Sequence, residues 1–250
     1  MRAYLYSGTL EGLFSTIFDI YTLKKLPDII ISDSSYQLGL ENEIIYVKDD
    51  DEKVKRIENS IIKHMGPEGI RTFIYTFSHK SPDKEMVIFN YLRLIFKFGG
   101  NAVGEMQANP HVRAFEDLNA QVGQECNRIK GFLRFKELPN GLFYAGYEPD
   151  HDITSLIMPY FTQRNHNMQF IIHDKGRNIL GMYNGQEYQI VESDIEIPQV
   201  YSENEATYQM LWQQYFETVS IASRKNKRQQ NHFVPRRYRK NMLEFQKYMI

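Results

Sequence analysis

The chain has 250 residues, 42% of them hydrophobic, with a formal net charge of −1, enough to bury a sizeable core as one domain or two without covalent staples. Its single cysteine, Cys126, excludes an internal disulfide and fits a reducing compartment, so a cytoplasmic protein is expected. The N-terminal segment lacks the apolar core of a signal peptide, and no apolar stretch approaches the roughly 20 residues that span a bilayer, so neither secretion nor a membrane partner is expected.

Along the chain, a short strand at Ala3 to Tyr6 leads through Ser-Gly-Thr into a helix whose Leu10, Leu13, Phe14, Ile17 and Tyr21 recur at helical spacing. A second strand around Ile44 to Val47 ends at Asp49, Asp50 and Asp51, which suit a helix start. That helix carries Val54, Ile57, Ile61 and Met65 on one face and is stopped by Gly66. A further helix holds Val87, Tyr91, Leu92 and Ile95, and another begins near Pro110 with Val112, Phe115, Val122, Cys126 and Ile129 inward. The first half therefore reads as mainly helical.

The second half changes period. Gly131 to Leu138 and Leu142 to Glu148 flank Asn140-Gly141, whose tolerance of positive φ favours a tight hairpin. After a helix at Ile153 to Arg164, the runs Met168 to His173, Ile179 to Tyr183 and Glu187 to Val191 are punctuated by Lys175-Gly176 and Asn184-Gly185, and read as an antiparallel meander. An amphipathic helix follows over Glu205 to Ile221, with Tyr208, Leu211, Trp212 and Tyr215 expected to pack inward. A basic segment and a short helix near Tyr238 to Tyr248 complete the chain. The fold class expected is α+β, with a mainly helical part over 1–105 and an α+β part over 106–250 carrying the basic end, as two parts or as one compact unit.

Charge is unevenly placed. From Val219 to Ile250 there are nine Lys or Arg and one acid, Glu244, so about +8, while the rest of the chain carries about −9. The run Arg224 to Lys240 combines eight cations with amides and two aromatics and contains no acid. Cations neutralise phosphates, Asn and Gln bond sugars or base edges, and Phe233 or Tyr238 offers a ring for an unpaired base. The candidate nucleic-acid-binding residues are Arg224, Asn226, Arg228, Arg236, Arg237, Tyr238 and Lys240. The bland alternative is a strap whose cations pair with the acidic body.

Other chemistry is less marked. Asp150-His151-Asp152, with His166, His173 and Asp174, offers oxygen and imidazole ligands, but the spacing matches no zinc pattern, so no metal is expected. Asp152 reads as a helix cap and His151 and His166 as exposed residues. Glu125, Arg128, Arg134 and Asp174, with Arg164 and Arg177, interrupt apolar elements and are the candidates for a polar catalytic cleft, or equally for a structural ion-pair network. Cys126 lies on an apolar helical stripe and reads as a core thiol. There is no Gly-x-Ser-x-Gly elbow and no phosphate loop ending in Gly-Lys-Ser/Thr.

Several stretches together resemble a bacterial family associated with DNA metabolism and DNA repair. They are Tyr6-Ser-Gly-Thr-Leu-Glu-Gly-Leu-Phe14, Glu125-Cys-Asn-Arg-Ile-Lys-Gly-Phe-Leu-Arg-Phe135, Tyr147-Glu-Pro-Asp-His-Asp152, Phe161-Thr-Gln-Arg164, Ile172-His-Asp-Lys-Gly-Arg177, Leu211-Trp-Gln-Gln-Tyr-Phe216, Arg224-Lys-Asn226 and Pro235-Arg-Arg-Tyr-Arg-Lys240. The resemblance covers nearly the whole chain and implies a radical-SAM protein as partner. The chain departs from it at Asn127, Lys227 and Arg239, where the family has His, Pro and Trp. No cofactor is expected on this chain, because one cysteine cannot supply the thiolates of an iron–sulfur cluster.

Three functions are compatible with these residues. The first is an accessory protein that binds DNA or another nucleic acid and presents it to a separate enzyme. The second is an enzyme acting on a base through Glu125, Arg128, Arg134 and Asp174. The third is an adaptor whose basic end docks an acidic protein surface.

Overall fold

The computed structural model describes residues 1–32, 43–194 and 200–246. It divides into two compact units, Met1–Gly123 and Gln124–Ile250. The expected end of the last helix, through Tyr248, lies outside the described residues.

The first unit is built on a three-stranded parallel sheet in which β1 (Arg2–Tyr6) lies between β2 (Ile29–Ser32) and β3 (Glu43–Tyr46). A parallel β1–β2 pair requires a crossover, which α1 (Leu10–Leu23) supplies. Its start is set by Thr9, whose hydroxyl accepts from the Gly12 N–H, and Lys24 ends it in the left-handed region at φ 55°. α2 (Asp51–Met65) opens on Asp50, whose carboxylate accepts from the amides of Glu52 and Lys53. α3 (Gly69–Phe77), α4 (Lys84–Phe98), α5 (Gly100–Gly104) and the first part of α6 (Pro110–Phe132) complete the layer. Their shared core centres on Phe73, fully buried against the rings of Phe14 and Phe115. Periodicity does not single out β2 or α3: Ile29-Ile-Ile carries no alternation, and α3 is only nine residues long.

The second unit carries a five-stranded sheet of order β4-β5-β6-β7-β8, formed by Lys136–Glu137, Phe143–Tyr147, Phe170–Asp174, Ile179–Tyr183 and Tyr188–Glu192. The hairpin at Asn140-Gly141 forms as expected, with Gly141 at φ +78° and the Leu138 amide donating to the Leu142 carbonyl over 2.8 Å. The β6–β7–β8 meander is antiparallel. The sheet as a whole is mixed, because β5 and β6 run parallel and are joined by α7 (Thr154–Arg164). α7 packs on β7, where Gly181 leaves room for Met158 and Thr154. In the β6–β7 turn the left-handed residue is Asn178, at φ 56°, rather than Gly176. The α+β class holds, and the parallel β5–β6 pair matters for function because the turns leaving both strands open at the same end of the sheet.

Past the sheet come α8 (Glu205–Val219), α9 (Lys227–Phe233), α10 (Arg236–Arg239) and α11 (Leu243–Gln246). α8 is tied at its start to β4, as the Glu205 carboxylate accepts from the Glu137 amide at 2.9 Å. α11 packs on α8.

Candidate nucleic-acid interface

The turn after β5, Glu148 to His151, is held by a ring of donors and acceptors. Glu125, on α6 and only 3% exposed, accepts from the backbone N–H groups of Asp150 and His151, both at 2.8 Å, and from the Tyr238 hydroxyl at 2.5 Å. From the opposite side Arg177 donates to the carbonyls of Pro149 and Asp150 and to the carboxylate of Asp174, at 3.3, 2.6 and 2.8 Å. Asp174 is itself fully buried and accepts from the amides of Gly176 and Arg177. A buried carboxylate is tolerated only when its lone pairs are used, and both of these meet that condition.

The same turn anchors the basic segment. Arg237 pairs with the Asp150 carboxylate at 2.5 Å, and Lys240 pairs with Glu148. Tyr238 is 4% exposed, with its ring against Phe132 and under the Arg237 guanidinium. Burial, reinforced by the hydrogen bond to Glu125, pushes its hydroxyl pKa far up, so the proton stays on the donor at any physiological pH.

These positions sort the sequence candidates. Tyr238, expected to stack on a base, is an interior anchor whose hydroxyl and ring are both engaged. Arg237 and Lys240 fasten the segment through exposed pairs of the kind worth about 0–1 kcal/mol, which a phosphate can displace. Asn226 caps α9, its side chain accepting from the amides of Arg228 and Gln229. Arg224, Arg228 and Arg236 are exposed, as are Lys225 and Lys227, and none of these five forms an ion pair among the described residues. α9 buries none of its side chains, and Phe233 at its end is 66% exposed.

Of the four catalytic candidates, Glu125 and Asp174 meet at the clamped turn, while Arg134 belongs to another group. It makes a two-pronged pair with Glu244, at 2.6 and 3.3 Å, and donates to the carbonyls of Gly131 and Leu133 at the end of α6. Arg128 is half-buried on α6, and Arg164 is exposed and donates to the Tyr160 hydroxyl. His151, expected on the surface, is drawn inside by its amide bond to Glu125. α7 takes Ile153 at its cap position with no side-chain cap there, in place of the cap expected from Asp152. No group of three His, Cys, Asp or Glu able to hold a metal occurs among the described residues.

Sequence reasoning missed two features. Trp212 and its neighbours were expected in a core, but Tyr208, Leu211, Trp212 and Tyr215 are 62, 51, 39 and 59% exposed and line a groove of about 890 Å³. His173, on β6, is buried with its Nδ1 at 3.0 Å from the Tyr144 hydroxyl and its Nε2 without a hydrogen-bond partner among the described residues. Burial, with help from the Lys175 charge, lowers its pKa.

The molecule is thus an α+β protein with a clamped polar turn, a cationic arm and an aromatic groove in its second unit. It belongs to a family described as a domain of unknown function, DUF4130, whose model matches residues 82–244. The match takes in every candidate from Glu125 to Lys240 and leaves out the Tyr6 to Phe14 stretch. No curated protein matches the chain.

Tyr238→Phe removes a hydroxyl donor to a buried carboxylate, and thermal or urea unfolding should show a loss of about 1.5–3 kcal/mol. An unchanged midpoint would mean that Glu125 does not depend on this donor. His173 has a folded pKa below its unfolded value, so its contribution to stability is complete above about pH 6.5 and lost as pH falls below that. His173→Gln should therefore reduce the drop in melting temperature between pH 7.5 and 5.5, whereas an identical drop in both proteins would assign the acid sensitivity elsewhere.

Proposed function

We propose that this chain is a nucleic-acid-binding accessory protein in DNA metabolism or repair that acts with a radical-SAM partner. The observation that carries the reading is the exposed arm itself. Five cations between Arg224 and Arg236 lie in solvent without ion-pair partners among the described residues, on a stretch free of acids. Paired surface cations would argue for a strap, whereas unpaired ones on an exposed segment form the electrostatic footprint of a polyanion site. The strap role falls instead to Arg237, Tyr238 and Lys240, which hold the arm to the Glu148 to His151 turn. The radical-SAM partner and the repair setting rest on the family resemblance of the sequence.

The enzyme reading has less support. Glu125 spends its oxygens on three internal donors, Asp174 on three more, and Arg134 is bound to Glu244. Groups committed in this way are orienters rather than proton carriers.

Deleting the arm would also remove the buried Tyr238, Met242 and Leu243, so point charge reversals are the cleaner test. Affinity for labelled single-stranded and duplex DNA, measured by anisotropy between 50 and 200 mM salt, should fall with a log–log slope of roughly −3.5 to −4.5 if the five cations meet phosphates. Arg224→Glu with Arg228→Glu should weaken binding at low salt and flatten that slope by roughly 1.5–2. Binding that ignores these reversals, or no binding at low salt, would overturn the reading.

A further inference from the structure

We propose that the groove along α8 is a stacking site for unpaired nucleobases, with Trp212 as its fixed platform, so that the protein takes single-stranded nucleic acid or an exposed base. This rests on the nucleic-acid reading above and goes further by naming the form of the ligand and the residues that meet it. Five of the eleven residues that line the groove are aromatic, namely Phe135, Phe143, Tyr208, Trp212 and Tyr215. Its volume of about 890 Å³ is that of a ligand-sized cleft rather than a packing defect.

The platform is built and held. The Trp212 indole N–H donates to Glu244 at 3.2 Å, and the Arg134 guanidinium, itself fixed by Glu244, stands 5.3 Å from the ring centre. An indole immobilised in advance loses little side-chain entropy when a base stacks on it. Beside it Tyr215 lies 5.9 Å away at 38°, and Tyr208 and Tyr215 project most of their surface into solvent. Stacking of this sort is tolerant of sequence because every base presents a π face.

Charge places the occupant. The lining carboxylates are held by neutral donors and keep their charge: Glu205 accepts from the Glu137 amide and from Gln209, and Glu137 accepts from the Ser202 hydroxyl, so bases enter the groove and phosphates stay outside it. The chain leaves α8 at Val219 and reaches the exposed cations at Arg224 five residues later. Seven helical residues and five more, which even fully extended would span about 18 Å, keep Arg224 within about 28 Å of Trp212, a reach of a few nucleotides. A strand whose bases enter the groove can thus lay its phosphates on the arm. An apolar protein segment would gain nothing from those cations, and a duplex would offer the rings no free base face.

Trp212 is the only tryptophan of the chain, so its fluorescence reports the groove directly. The 250-residue chain is titrated with an oligothymidylate, with a backbone of the same length lacking bases, and with a duplex, while anisotropy of each labelled ligand reports binding. Oligothymidylate should quench the indole, and the abasic strand and duplex should bind through the arm without quenching. Tyr215→Ala and Tyr208→Ala, at exposed positions that leave the Trp212 bond to Glu244 and its contact with Arg134 intact, should each weaken oligothymidylate binding by roughly 5- to 150-fold. Both should leave the duplex unaffected. Oligothymidylate binding with neither quenching nor a tyrosine effect overturns the groove assignment alone, and absence of binding to every ligand overturns the nucleic-acid reading as well. Quenching by the co-purified partner protein but not by oligothymidylate would make the groove a protein-docking face and overturn the inference.

Discussion

The buried carboxylate of Glu125 is the constraint on which the rest of the second unit depends. A charge taken out of water must be matched by donors, and Glu125 collects them from two places far apart in sequence: the turn that leaves β5 and the tyrosine of the basic arm. One side chain thereby fixes the shape of the Glu148 to His151 turn and the place where residues 236–240 meet the sheet. Arg177 and Asp174 repeat the arrangement from β6, using the carbonyls of the same turn. Because β5 and β6 are parallel, both turns leave the sheet at one end, and Glu125 directly and Asp174 through Arg177 act on a single loop.

Fastening the arm at one point leaves another part of it exposed. Arg237, Tyr238 and Lys240 are committed to the body, whereas Arg224 to Arg228 and Arg236 are not. This division reconciles the two expectations that the sequence raised for a basic end on an acidic chain. Some cations form the strap, and the remainder, without ion pairs among the described residues, is the part proposed to meet phosphates. Glu244 has a matching role beside α8, where it orients both Arg134 and Trp212 and so stiffens an aromatic face that would otherwise be a loose surface helix.

How much of this was legible follows from the range of each signal. Local signals held: Asn140-Gly141 gave the hairpin, Asp50 the start of α2, and helical spacing gave α1, α4 and α6. Pairing partners were not legible, since β5 as a strand carries no mark of whether it runs parallel or antiparallel to β6. Periodicity showed that α8 is amphipathic but not what faces its apolar side, and the Trp212 stripe was therefore assigned to a core that does not cover it. Tyr238 sits in a cationic, acid-free run that gives no hint of burial, because its partner Glu125 lies 113 residues away. One clue was present: Glu125 falls beside Cys126 on the inward stripe of α6, and a carboxylate there requires a donor from elsewhere.

The central claim is that nucleic acid is held by the unpaired arm and the neighbouring groove, while the Glu125 network only supports them. Amide hydrogen exchange of the whole 250-residue chain, with and without a single-stranded oligonucleotide at low salt, tests it most directly. Protection gained across residues 205–236, with the amides of Asp150 and His151 already slow and unchanged, is the predicted result. Protection concentrated at the Glu148 to His151 turn, or none in the arm, would contradict it.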